Sequence, residues 1–171
     1  GPYYQPRGVF LDLARAVKEK VSVPVIAVGR INDPTLAEQA LREEKADLVS
    51  FGRALLADPY LPRKAREGRL EDIIPCIACN QACIERVRQD EAISCVCNPR
   101  TGAEVELEVT RARRPRKVMV VGGGPAGMRA ALVAAERGHQ VSLWERTNEL
   151  GGNYRRAALP PGKEELQNLL L

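Results

Sequence analysis

Apolar residues in this chain follow two rhythms, short continuous runs and repeats every three or four positions, and the switches between them mark its elements. Val9, Phe10, Leu13, Ala14 and Val17 repeat at helical spacing and predict a first helix. Residues 23–28 then form an apolar, largely β-branched run closed by Gly29, as a buried strand would. Asp33 followed by Pro34 predicts the next helix start: the carboxylate caps free N–H groups and proline fits the first helical position. Leu36, Ala37, Ala40 and Leu41 supply the inner face of that helix, and a second apolar run over residues 47–51 ends at Gly52. Strand, helix, strand with near-continuous apolar strands predicts parallel strands covered on both faces.

The rhythm stops over residues 71–113. This stretch holds every cysteine, then the turn signals Asn98-Pro99 and Thr101-Gly102. Residues 104–110 alternate weakly and predict a short edge strand. From Lys117 the earlier grammar returns. Val118, Met119, Val120 and Val121 predict a buried strand, residues 122–127 a glycine-rich turn, and Met128, Ala131, Leu132 and Ala135 a helix closed by Gly138 in a left-handed cap. Residues 141–144 predict a second strand ending at Glu145, with Trp144 in the core. His139, the only histidine, is expected at a surface turn. The pattern is that of an α/β protein in two stretches, residues 1–70 and 114–171, divided by a cysteine-rich segment and linker.

Composition narrows the picture. Of 171 residues, 44% are hydrophobic and 28% charged, as in ordinary globular chains, so a core is possible. Only 4% are aromatic, and the core must rest on Val, Leu, Ile and Ala. The net charge of +4 gathers at Arg111, Arg113, Arg114, Arg116 and Lys117. Without interleaved aromatics this run reads as a solvated linker rather than a nucleic-acid surface. No apolar run approaches the roughly 20 residues that cross a bilayer, and no secretion signal opens the chain. A cytoplasmic protein with no membrane partner is expected. Gly1 and the closing leucines predict a fragment whose N- and C-terminal parts lie elsewhere on the same polypeptide.

Three motifs carry chemistry. Gly29-Arg30 and Gly52-Arg53 end the two early strands. Glycine lets a backbone N–H approach a ligand, and arginine adds a planar fork of donors for phosphate oxygens. Two such ends side by side form a candidate phosphate clamp; strand-ending glycines with surface arginines are the alternative. Cys76, Cys79 and Cys83 are spaced to share one face of a helical turn, and Cys95 follows after eleven residues. Four thiolates so spaced suit either a tetrahedral zinc or a cubane cluster. Cys97 is surplus to four ligands and is assigned to packing. Gly122, Gly124 and Gly127 form G-x-G-x-x-G between a strand and a helix, with Glu145 about 20 residues on, where a carboxylate can bind ribose hydroxyls. Gly151-Gly152 offers a second close backbone approach to a nucleotide, or a simple turn.

The order of these motifs resembles a known family. The run from Val23 through Gly29-Arg30-Ile31-Asn32-Asp33-Pro34, with Ala46-Asp47-Leu48-Val49-Ser50-Phe51-Gly52-Arg53, resembles the last two strands of the old yellow enzyme barrel. Cys76-Ile77-Ala78-Cys79-Asn80-Gln81-Ala82-Cys83 and Cys95-Val96-Cys97-Asn98-Pro99 resemble the cluster motif of its long members, the 2,4-dienoyl-CoA reductase, 2-enoate reductase and trimethylamine dehydrogenase group. The third stretch is similar to their FAD- or ADP-binding domain, down to Pro161-Gly162-Lys163-Glu164-Glu165.

The resemblance implies the C-terminal end of a (β/α)8 barrel, a small cluster segment and the start of a Rossmann-like domain. It assigns Gly29, Arg30, Gly52 and Arg53 to FMN phosphate, and Cys76, Cys79, Cys83 and Cys95 to a [4Fe–4S] cluster. Gly122, Gly124, Gly127, Glu145 and Gly152 go to FAD. Electrons would pass from NAD(P)H through FAD and the cluster to FMN, and on to a small molecule with an activated C=C bond. An amine oxidiser holding ADP is the enzymatic alternative, and a zinc-stabilised nucleic-acid module the alternative of another class. The family usually has glycine at Ala78 and an aliphatic residue at Cys97. Catalytic residues are expected outside this chain, and the isolated fragment is expected neither to retain FMN nor to turn over.

Overall fold

The computed structural model describes residues 2–169 and divides the chain into two compact units, Gly1–Ala103 and Glu104–Leu171. In the first, helix α1 (Leu11–Lys18) carries Arg15 and Lys18 in its last turn, where cations oppose the helix dipole. It buries Leu11. Phe10, Leu13 and Val17, which repeat at helical spacing in the sequence, are exposed. Spacing identified the apolar stripe but not which edge of it packs.

Strands β1 (Ile26–Ala27) and β2 (Leu48–Val49) pair in parallel, Ile26 with Leu48 and Ala27 with Val49. Asp47 pins their entry: it accepts from the Val25 N–H at 2.8 Å and pairs with Lys18 at 3.0 Å. Those contacts hold its carboxyl below the usual range, the Val25 bond first. The expectation of cover on both faces is corrected here: Ala27 is buried, but Val23, Ile26, Val28 and Leu48 are each more than half exposed. Only one face meets the helices. Between the strands lies α2 (Pro34–Arg42), capped as expected by Asp33, which accepts from the Thr35 N–H at 2.8 Å. Leu11, Ala27, Ile31, Ala37, Ala40 and Ala46 form the core, with Ala14, Leu36, Val49 and Phe51 against it.

Two short helices follow, α3 (Arg53–Ala57) and α4 (Leu61–Arg66). Asp58 sits between them, 1% exposed, and accepts from Lys64 Nζ at 2.6 Å and from the N–H groups of Tyr60 and Ile74 at 3.0 Å each. The cysteine segment differs from expectation. Cys76, Cys79 and Cys83 do not share a helical face; helix α5 (Ile84–Arg88) begins only after them. Ala78 and Asn80, at φ of 54° and 64°, take the left-handed conformation and break any helix there. Residues 104–107 form a turn, and no strand spans 104–110; Val105 is 85% exposed and has no face to bury.

In the second unit β3 (Lys117–Val121), α6 (Pro125–Glu136) and β4 (Gln140–Trp144) form a β-α-β unit, its strands parallel in register from Lys117–Gln140 to Val121–Trp144. Gly138 ends α6 at φ 88°, and its N–H bonds Ala135 O at 2.8 Å. His139 is at the turn but half-buried; its Nδ1 accepts from the Arg116 N–H at 3.1 Å. Both strands alternate between exposed and half-buried positions, so neither is the buried strand expected. Trp144 is 62% exposed, not core: it falls on the outward register of a two-stranded sheet. Helix α7 (Asn153–Ala157) and a 3-10 turn over Glu164–Leu169 complete the unit. Among the described residues, no helix is long and apolar enough to cross a membrane.

Candidate cofactor sites

Parallel pairing of β1 and β2 delivers both Gly-Arg turns to one end of the sheet, where they line a cavity of about 270 Å3. Gly29, at φ 131°, and Arg30, at φ 51°, reverse the chain sharply. A Cβ at Gly29 would stand 2.7 Å from a ring carbon of Phe10, so this turn admits no side chain unless the ring moves. Arg30 is buried, and its guanidinium donates to Gln5 O. Gly52 caps α3, which places Arg53 at the start of that helix. Nothing would lie within 4 Å of a Cβ on Gly52, so its backbone is open to the cavity. Asn32 was not singled out from the sequence, although it stands two residues after Arg30. It is buried, its amide donates to Cys76 O at 2.7 Å, and its Oδ1 has no partner.

All five cysteines line a second cavity beside the first. Arg53, Cys76 and Ala78 line both. Burial pushes the Cys76 and Cys79 thiols up, opposed at Cys76 by the Ala78 N–H and then by the Arg53 charge. Cys95 moves the other way: the Cys97 thiol donates to its sulfur and brings it down to about 6. The same bond, with burial, holds the Cys97 thiol up. Among the described residues, no three His, Cys, Asp or Glu side chains are arranged to hold a single metal ion.

Buried polar side chains fasten this segment to the strand ends. Asp58 holds Ile74, Asn32 holds Cys76, and the Arg53 guanidinium donates to Asn80 Oδ1. Asn98 Nδ2 and Thr101 Oγ1 both donate to Leu56 O, at 3.0 and 2.7 Å. The sequence reading missed these anchors; a signal existed only in the polar residues that punctuate the cysteine motif.

The glycine turn of the second unit is built from backbone. A Cβ on Gly127 would lie 1.9 Å from Gly122 O, so only glycine lets α6 close on the turn. Gly122 and Gly124 face open space, and Gly124 caps α6 without a side-chain bond, leaving first-turn N–H groups available. Gly152 packs against it: its Cβ would stand 3.4 Å from Gly124 Cα. Glu145 does not project freely. Its Oε2 accepts from the Gly123 N–H at 2.7 Å and its Oε1 from the Thr147 N–H at 3.1 Å, which lowers its pKa, the Gly123 bond first.

Phosphate-type turns on strand ends, with a separate glycine-rich nucleotide turn, are features of the flavin-dependent oxidoreductases. Residues 7–72 match the NADH:flavin oxidoreductase / NADH oxidase family and residues 117–166 match FAD dependent oxidoreductase. Each match covers one stretch of the chain, the first in the unit that carries the Gly-Arg turns and the second in the unit that carries the glycine turn. A metal reductase of Desulforamulus reducens is 46% identical over 96% of this chain and 25% of its own length. A cinnamate reductase of Clostridium sporogenes is 40% identical over 96% of this chain and 25% of its own length. The structure of a 2-naphthoyl-CoA reductase complex superposes with a TM-score of 0.94 at 37% identity, covering 99% of this chain and 26% of that one. Amine dehydrogenases also stand among the similar proteins. The chain spans about a quarter of the length of the curated relatives it matches.

Proposed function

We propose that this chain is the central part of an NAD(P)H-dependent reductase of activated C=C bonds, the end of a (β/α)8 barrel joined through a cluster segment to a Rossmann-like domain. One observation carries the reading: the Gly-Arg turns and the cysteines line adjoining cavities with Arg53, Cys76 and Ala78 in common. FMN fits the first cavity on two grounds, the open backbone at Gly52 beside Arg30 and Arg53, and the buried, unpartnered Oδ1 of Asn32. An iron–sulfur cluster fits the second by donor chemistry. Its lining gathers five cysteine sulfurs among Leu56, Ile77, Ala82 and Val96, with Arg53 and Asn80 also present, and a buried thiol loses its proton readily only where a cation offsets the thiolate charge.

Gly29, Arg30, Gly52 and Arg53 hold the FMN phosphate; Cys76, Cys79, Cys83 and Cys95 hold a [4Fe–4S] cluster. Gly122, Gly124, Gly127 and Gly152 leave the backbone bare for the FAD pyrophosphate, and Glu145 orients the turn for the ribose. When bound, these groups supply electron transfer from NAD(P)H through FAD and the cluster to FMN, and hydride delivery to the C=C bond. Similarity to the cinnamate and 2-naphthoyl-CoA reductases supports an enoate substrate. The rest of the same polypeptide supplies the substrate pocket and covers the apolar strand faces.

Anaerobic purification of the full-length protein tests this. FMN, FAD, iron and sulfide should co-purify, with NAD(P)H-dependent reduction of cinnamate-type enoates or enoyl-CoA thioesters. A colourless zinc protein would refute the cofactor assignment; turnover of secondary or tertiary amines alone would move the enzyme to the amine-oxidising branch.

A further inference from the structure

The two turns that form the candidate phosphate clamp each send one side chain across to the cysteine loop. From the β1 turn, Asn32 donates to Cys76 O. From the β2 turn, Arg53 donates to Asn80 Oδ1. Asn80 sits in the left-handed region at φ 64°, a conformation asparagine tolerates better than most residues. Its side chain thereby reaches back from between Cys79 and Cys83 toward the strand ends. A long arginine at the rim of a cavity loses considerable rotamer freedom when it is fixed. A neutral amide oxygen that fixes it in advance lowers that cost at the moment of binding and does not neutralise the charge a phosphate needs.

We propose that Asn80 is a positioning residue for the phosphate clamp: its side-chain oxygen holds the Arg53 guanidinium toward the cavity, so firm retention of FMN depends on a folded cysteine loop. This rests on the reading of Arg53 as a phosphate ligand. It adds a direction of dependence: the fold of the cysteine loop organises the flavin site 27 residues earlier in the chain.

The test uses the full-length protein, loaded with iron and stripped of FMN, titrated with FMN and with riboflavin, which lacks the phosphate. Asn80→Gly removes the acceptor while permitting the backbone angle, and Asn80→Asp keeps the acceptor. Asn80→Gly should weaken FMN binding roughly tenfold, the worth of one hydrogen bond to a charged group, and leave riboflavin binding and iron content unchanged. Asn80→Asp should also weaken FMN, because its carboxylate neutralises the guanidinium that the phosphate needs, and should leave riboflavin unchanged. Combined with Arg53→Ala, Asn80→Gly should add nothing, because it acts through that arginine. Should Asn80→Gly lose iron, Asn80→Ser, whose hydroxyl is too short to reach the guanidinium, takes its place with the same expectations. The inference is overturned if Arg53→Ala weakens FMN but the Asn80 variants do not, or if riboflavin weakens equally. If Arg53→Ala leaves FMN affinity intact, the phosphate-clamp reading itself fails.

Discussion

The two units build their candidate sites by opposite means. In the first, the site residues come from β1, β2, α3 and the irregular cysteine segment, and buried polar side chains hold them together: Asp58, Asn32, Asn98 and Thr101 each bond across at least one turn of chain. In the second, one strand-turn-helix-strand passage makes the whole site, with backbone as its material and Ala158 the one described hydrophobic residue that is fully buried. A site assembled from distant segments depends on buried hydrogen bonds, whose loss leaves unsatisfied groups behind. A site made of local backbone depends on steric room.

That contrast is sharpest at Asp58. Asp58→Ala should cost about 3–5 kcal/mol, because it takes from the Lys64 ammonium its carboxylate partner and frees the Tyr60 and Ile74 N–H groups. Urea unfolding of the full-length protein reads the loss, and iron content should fall with it; an unchanged midpoint would mean the anchor carries no load. In the second unit the matching test is Gly127→Ala, whose Cβ must displace the Gly122 carbonyl. Overpacking of this kind costs about 1–3 kcal/mol, and hydrogen exchange should show the loss confined to β3, α6 and β4, with FAD content reduced.

Smaller effects separate the units further. Glu145 has its folded pKa depressed by the Gly123 and Thr147 N–H groups. Its contribution is therefore present above the ordinary glutamate value of about 4.3 and is lost as pH falls through the lower folded value. Exchange protection of the glycine turn should decline over that window, and Glu145→Gln should flatten the decline. A turn equally protected across it would place the carboxylate's bond elsewhere. Last, Ala78→Gly relieves the left-handed strain at φ 54° and should stabilise the cysteine segment by no more than about 1 kcal/mol; a lower unfolding midpoint would mean that methyl packing at this buried residue outweighs the strain.

The same contrast explains what could be read in advance. Asp33-Pro34 capped α2, the β-α-β unit lay where its apolar runs fell, and Gly138 ended α6, all because each is decided within a few residues of sequence. The cysteine segment was misread as a helical face because spacing alone does not reveal left-handed residues at Ala78 and Asn80. Exposure of Ile26, Val28, Met119, Val121 and Trp144 escaped the pattern as well, since an apolar run reports what a strand can bury, not what lies against it. Asn32, Asn80 and Asp58 went unremarked because their importance lies in partners far along the chain, which periodicity does not encode.

Arg53, Cys76 and Ala78 stand in the partition between two chambers. A replacement there must suit both occupants at once, so a saturation library screened separately for flavin and for iron should find these positions least permissive in both screens. Substitutions that alter one chamber alone would then fall on its outer walls, leaving the partition as the part least free to change.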